Sequence, residues 1–504
     1  MNLWKINQAI ERSIESALSV KPTHFLLIAI VLSALLIIFT NQVVLQDFPN
    51  SGDEYSYLIS ANLFAQGKLA ESSPPNKEFF DFFHVINDGK FYSKYPPGWP
   101  FLLSIGVIAG STMLVNLAIA ILSILVIYFI CNEFFSGKVA KIAVLLTIIS
   151  PYFLFNSASY FSHSASLLLF AICTYFYFKA QKSQKLIYWA LIGLGVGAIL
   201  NIRPLDAALF AIALIIHSAL QLRAQKELIK EIIQLAKKFA VFAVGVAILL
   251  AVFLAYNFAQ TQDPFLMPFS KYNPYDTLGF SENFSLQNAI ENNLMQRSWM
   301  LNIWTPFCYL LILLAILRVK NSNSSFLLLL LSALLAGYFF YFSPGGNQYG
   351  PRYLYSAAFV IFILGAQAIA ALKKNAGILL IGLLLANIVV FSFMANIFHT
   401  QIEERTELYD LIESQKISNS IVFLNCPFFC SGTIPALDLT RNGTTFDQSA
   451  IYVHDRGAEN VKIMDQYQAR EYYRWSCNPK IIGYIWILDI GFAKNENCIL
   501  EKIG

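Results

Sequence analysis

The residues best suited to chemistry gather in one stretch, Gln46 to Gly110. An acidic pair, Asp53-Glu54, opens it, followed by His84 and then Lys94-Tyr95-Pro96-Pro97. An ionised aspartate can take the proton of an attacking hydroxyl. Lysine and arginine can hold a phosphate, and the arginine fork can pair with two of its oxygens. A histidine can make a substrate contact or ligate a metal. Arg203 and Arg352 add two cations, each at the end of an apolar run, with His163 and Tyr353 close by in sequence. Later, Asp263-Pro-Phe-Leu-Met-Pro-Phe-Ser-Lys271-Tyr272-Asn-Pro-Tyr-Asp276 alternates charges with aromatics, and its prolines prevent a continuous helix.

Each of these features also has a bland reading. Ser51-x-x-Glu54 is a capping box that opens a helix over Tyr55–Gln66, stopped by Gly67. That accounts for Glu54 and leaves Asp53 over, although the helix dipole also favours an Asp there. Cations at a membrane edge can snorkel to headgroups. A lone histidine commonly serves as a structural hydrogen bonder. The 263–276 tract suits a sugar-facing loop or an interfacial aromatic belt equally well. Position argues for chemistry at Asp53, because a carboxylate so near an apolar span is costly.

The elements that must position these residues are membrane helices. Of 504 residues, 57% are hydrophobic and only 13% charged, about half the charge of a soluble chain. Eleven apolar runs of roughly spanning length lie near 24–46, 112–133, 139–156, 164–180, 186–202, 205–221, 239–259, 300–318, 325–343, 353–372 and 375–396. Lysines crowd alternate loops, at Lys138 and Lys141, at Lys179, Lys182 and Lys185, and at Lys226 to Lys238. The positive-inside rule then puts the N-terminal segment 1–23 inside and residues 397–504 outside. No cleavable signal is expected at the N-terminus. Gly98–Gly110 is apolar but too short to span, so it is expected to lie on the outer interface. The tract 222–238 reads as an amphipathic helix on the inner face. Gly193-x-Gly195-x-Gly197 falls inside a span with no strand before it, which fits close helix packing rather than a nucleotide site.

After Phe398 the composition becomes that of a soluble domain. A helix over 402–416 and strands at 421–425, 450–454 and 481–488 predict a small α/β domain with its own core. Its four cysteines, Cys426, Cys430, Cys477 and Cys498, fit two disulfides in an oxidising compartment, and spacing leaves all three pairings open.

In order, these pieces resemble the GT-C glycosyltransferases, in the branch of protein O-mannosyltransferases and lipid A aminoarabinose transferases. Asp53-Glu54 stands where that family has an acidic residue after the first span. Lys94-Tyr95-Pro96-Pro97 resembles its Lys-Pro-Pro element with one residue inserted. Ser159-Tyr160-Phe161-Ser162-His163, Arg203-Pro204-Leu205-Asp206, Asp263-Pro264 and Tyr349-Gly350-Pro351-Arg352-Tyr353 fit a bacterial subgroup. The resemblance covers 24–396 and implies a polytopic α-helical GT-C domain there. Its long outer loops would be 47–111, with interfacial helices, and 260–299. Domain 397–504 lies beyond it.

The resemblance implies a transferase in a bacterial inner membrane that takes a sugar from a polyprenyl-phosphate donor. The acceptor would be a lipid, glycan or protein on the periplasmic face, reached with inversion. Asp53 and Glu54 would be catalytic, while Lys94, Arg203 and Arg352 would hold the donor phosphate. His84, Tyr95, His163, Asp263, Lys271, Tyr272, Asp276 and Tyr353 are candidate substrate contacts. A divalent metal ion stays open, with His84 and His163 as candidate ligands, though no metal-binding spacing supports them. Membrane lipids are expected partners and nucleic acid is not. An oligosaccharide ligase or polymerase, or a lipid-linked glycan transporter, is the alternative. A transporter would be expected to carry ionisable residues at mid-bilayer depth, whereas here they crowd one face.

Overall fold

A computed structural model describes residues 16, 18–222, 227–318, 321–343, 348–372, 376–425, 439–488 and 490–503. The first long helix, α1 (Pro22–Val44), leads to α2 (Gly52–Ala65), then strands β1 (Glu71–Ser72), β2 (Val85–Asn87) and β3 (Lys90–Ser93). A bundle follows: α3 (Gly98–Ile108), α4 (Met113–Phe134), α5 (Gly137–Ile148), α6 (Pro151–Ala158), α7 (His163–Ser183), α8 (Leu186–Leu200), α9 (Pro204–Leu222) and α10 (Leu228–Thr261). After the short α11 (Pro268–Tyr272) come α12 (Leu286–Trp304), α13 (Cys308–Arg318), α14 (Ser322–Phe339), α15 (Arg352–Ala371) and α16 (Ala376–Ser414). The chain ends in β4 (Ser420–Asn425), β5 (Ala450–His454), α17 (Val461–Gln466), β6 (Glu471–Ile485) and β7 (Ile490–Lys502).

Each expected span falls on one of these helices. Among the described residues seven are long and apolar enough to cross a membrane, and nine if each bent pair counts as one span. The pairs are α5 with α6, bent 61° ahead of Pro151, and α12 with α13, bent 90°. The remaining two expected spans are α7, whose apolar run is diluted by Ser, Tyr and Lys, and the shorter α8. Helix α3, at 11 residues, is too short to span. The glycines of α8 do pack helices. A Cβ at Gly193 would lie 2.1 Å from the carbonyl oxygen of Phe242 on α10, so only glycine permits this crossing.

Two expected helix breaks are absent. The amphipathic tract after residue 227 runs straight into its span as α10, and 402–416 continues the last span as α16. No Gly or Pro interrupts either junction, and extending a helix is cheaper than nucleating a new one. The expected strand 481–488 is the end of the longer β6 followed by a 3-10 turn at Trp486–Leu488.

A small sheet in the first loop, ordered β1-β3-β2, went unpredicted. Its β2–β3 hairpin pairs Val85 with Ser93, which sets His84 opposite Lys94. The amide of Lys94 donates to the carbonyl of His84 at 3.0 Å. Asp88-Gly89 at the turn, with Gly89 at positive φ, was the available signal. The C-terminal sheet, ordered β5-β4-β6-β7, is parallel except for the β6–β7 hairpin. It shares a core with the first loop: Ile59, Leu63 and Phe79 pack with Ile421, Phe423 and Val453. Cys477 pairs with Cys498. Cys426 and Cys430 lie outside the described residues.

Candidate active site

Ser51 caps α2, its hydroxyl accepting from the Glu54 amide at 3.2 Å. Only half of the expected capping box forms. Glu54 turns inward instead of back to the Ser51 amide, and its carboxylate accepts from the Tyr160 amide at 2.9 Å and from the Ser51 hydroxyl at 3.1 Å. It is 1% exposed. Burial pushes its carboxyl up to about 7, against the pull of the Tyr160 amide and Arg352. Glu54 therefore ties α2 to the corner between α6 and α7. Trp99 and Asn116 bind the same corner, donating to the carbonyls of Tyr160 and Ser159.

Asp53, its neighbour, faces the other way and keeps 23% of its side chain exposed. The Tyr95 hydroxyl donates to one carboxylate oxygen. His84 Nε2 lies 3.7 Å from that oxygen, and Arg352 Nη2 lies 3.6 Å from the other. Burial raises the Asp53 carboxyl, but His84, Arg352, Lys94 and the Tyr95 hydroxyl outweigh it and hold it below the usual range. Burial, with Lys94 and Arg352, holds His84 down to about 4 despite Asp53. Near neutral pH the imidazole is uncharged, so Arg352 and Lys94 are the cations that keep Asp53 ionised.

Arg352 opens α15 and lies 3.8 Å over the Phe161 ring. Its buried Nε has no hydrogen-bond partner, and neither does Nδ1 of His84. Lys94 sits among three aromatic rings, with Nζ 5.2 Å from Tyr95, 4.6 Å from Phe269 and 4.8 Å from Tyr272. Burial lowers its pKa, with Asp53 and then Asp276 opposing. The Tyr272 hydroxyl accepts from the His84 amide at 3.1 Å. Burial in turn raises the Asp276 carboxyl. Hairpin, α2, α15 and the 263–276 loop thus converge on one point. There an ionised carboxylate stands beside two cations with unused donor capacity, a place that can receive both an anion and an acid proton.

Other expected site residues are engaged elsewhere. Arg203 donates to Asp206 at 2.8 Å and to the Tyr338 hydroxyl at 2.7 Å, and its third nitrogen meets His163 Nε2 at 2.8 Å. Its guanidinium is paired with Asp206, so Arg203, expected on a phosphate, stands here in a hydrogen-bonded cluster apart from Asp53. His163 faces that guanidinium through Nε2, and its buried Nδ1 has no hydrogen-bond partner. Tyr353 stacks on Tyr338 at 4.9 Å, beneath Arg297. Asp263 is exposed and closes a turn by accepting from the Phe265 amide at 2.9 Å. Lys271 is exposed too, so neither joins the cluster. For a divalent metal the fit fails. Asp53 and His84 are the nearest pair, cations flank them, and among the described residues no three His, Cys, Asp or Glu side chains converge. Sequence reading does not reveal Tyr57, whose hydroxyl bonds Ser162 at 3.2 Å and which carries no local signal; Phe269 lies in the aromatic 263–276 tract but is not distinguished within it.

A family model described as dolichyl-phosphate-mannose-protein mannosyltransferase matches residues 95–255. No curated protein matches the chain. In fold the chain is similar to ArnT from Cupriavidus metallidurans bound to undecaprenyl phosphate, with TM-score 0.53 and 11% identity over 92% of this chain and 97% of that one. The same protein in its apo state gives 0.51 at 12% identity, over 92% and 96%. An oligosaccharyltransferase from Archaeoglobus fulgidus in apo form gives 0.46 at 13% identity, over 90% and 70%. The chain thus matches that family model over residues 95–255 and shares with ArnT the fold of a multi-pass helical bundle, with the first-loop site at its end.

Proposed function

We propose that the protein transfers one sugar from a polyprenyl-phosphate donor to a hydroxyl of a lipid, glycan or protein acceptor. The reaction would run at the periplasmic face of a bacterial inner membrane, with the lysine-rich loops inside. One observation carries the reading: Asp53, half-open at the end of the bundle, shares its site with Arg352 and the ring-caged Lys94. The donor phosphate would take Arg352 and Lys94, whose charges stabilise it as it leaves. Asp53 would accept the acceptor proton as the acceptor oxygen bonds to the anomeric carbon and the carbon–phosphate oxygen bond breaks. Single displacement inverts that carbon.

The cations link the two halves of the step. While Arg352 serves Asp53, the carboxylate is a weak base. A phosphate that draws Arg352 away would raise its basicity, so donor binding would prepare the base. If the acceptor is itself a phosphate, no base is needed and Asp53 only positions groups. The test is reconstitution of the purified protein in liposomes with polyprenyl-phosphate sugars and candidate acceptors. Release of free polyprenyl phosphate with an inverted product is expected. Absence of release with every lipid-linked donor would refute the reading.

A further inference from the structure

Residues 49 and 50 lead directly into the cap of α2, and both of their carbonyls are held from the C-terminal part of the chain. Arg441 donates to the carbonyl of Pro49 at 2.6 Å while lying 3.9 Å over the Phe48 ring. Arg405, on the extension of α16, donates to the carbonyl of Asn50 at 2.6 Å and to its side-chain oxygen. One turn further on, the Tyr55 hydroxyl donates to the carbonyl of Asn442 at 2.6 Å. The rest of α2 rests on the C-terminal sheet through the shared core of Ile59 and Leu63 with Ile421 and Phe423.

We propose that the C-terminal segment is a positioning element of the active site, in which Arg441 and Arg405 fix where Asp53 stands by clamping the chain that enters its helix. The inference rests on Asp53 being the reacting carboxylate. Its physical basis is reach. Without the clamp, the chain entering α2 would keep only the Gln348 side chain, which donates to the Asn50 carbonyl at 2.8 Å, while α2 itself keeps Glu54, Ser56, Tyr57 and the shared core, so the clamp acts on the helix start where Asp53 stands. A misplacement of about 1 Å at a reacting group costs on the order of a hundredfold in rate. Arginine suits the task because one planar group can donate to a carbonyl and stack on a ring together.

The test compares wild type, Arg441→Ala, Arg441→Lys and a distant control, Lys480→Ala, as full-length protein in nanodiscs. Hydrogen exchange reads the clamp directly. Amides in the first turn of α2 should exchange faster in Arg441→Ala, less so in Arg441→Lys, and as in wild type in the control. With a polyprenyl-phosphate sugar, kcat should fall about tenfold or more with KM for the donor little changed. The acid limb of the pH–rate profile should move up, since a loosened Asp53 leaves Arg352, Tyr95, His84 and Lys94, and keeps Glu54 and Tyr57 on its own helix. A fold defect alone would lower the active fraction and leave exchange and pH profile of the survivors unchanged; that result overturns the proposal. Should Arg441→Ala not accumulate, Tyr55→Phe removes the Asn442 bond and is read the same way. If wild type transfers no sugar, the proposed function fails, and exchange alone then decides the clamp.

Discussion

Asp206 and Asp53 meet the same kinds of neighbours, an arginine and a tyrosine hydroxyl, with a histidine close by. Asp206 is 0% exposed and accepts from Arg203, Tyr338, Ser166 and Ser356. Asp53 is 23% exposed, takes one hydroxyl, and faces Arg352 and His84 at 3.6 and 3.7 Å, beyond hydrogen-bond length. A buried ion pair repays its desolvation only when its remaining valences are met. The first cluster meets them, and it joins α7, α9, α14 and α15. The second leaves donors and a carboxylate free for something else. Residue type did not separate the two; degree of satisfaction does.

The largest effect should come from breaking the closed cluster. Asp206→Ala leaves Arg203 buried and uncompensated, which should cost about 3–5 kcal/mol of stability. Thermal unfolding in detergent checks it, and an unchanged midpoint would erase the contrast with Asp53.

At the open cluster the cost should fall on kinetics. Arg352→Gln and Lys94→Gln should each lose about 1.5–3 kcal/mol in kcat/KM for the donor, roughly ten- to hundredfold. Normal donor kinetics in both would leave them as headgroup anchors.

Glu54 gives a smaller, pH-dependent signal. Folding moves its carboxyl from 4.5 to about 7. Between those values the folded state binds more protons than the unfolded chain. Its contribution is therefore full below the unfolded value and declines as pH rises toward 7. Glu54→Gln should flatten that part of the stability curve, from pH 4.5 to about 7. An unchanged slope would mean that another group titrates. Smallest of all, Asp263→Ala and Lys271→Gln should change stability by no more than about 0.5 kcal/mol and leave turnover near normal.

What could be read in advance follows from range. The spans, the short α3, the Ser51 cap and the α8 glycines depend on neighbours a few residues away, and periodicity or composition reveals them. His84 meeting Lys94 depends on the hairpin turn at Asp88-Gly89, whose local signal is a single Asp-Gly dipeptide. The pairing of Arg203 with His163 and Tyr338 brings together three helices, so no local pattern distinguishes it from the open Arg352. The C-terminal segment had the composition of a self-contained domain. Its apolar strands serve partly to hold α2, and only tertiary structure reveals whose core a strand completes.

The account turns on Asp53 being ionised and free to accept a proton, rather than a helix-start residue. Asp53→Asn separates the two, since Asn keeps the helix-start geometry and cannot act as base. The measurement is turnover of purified, normally folded Asp53→Asn with a polyprenyl-phosphate sugar, beside its unfolding midpoint. The account predicts an unfolding midpoint close to wild type and turnover slowed at least about a hundredfold. Near-normal turnover would contradict it.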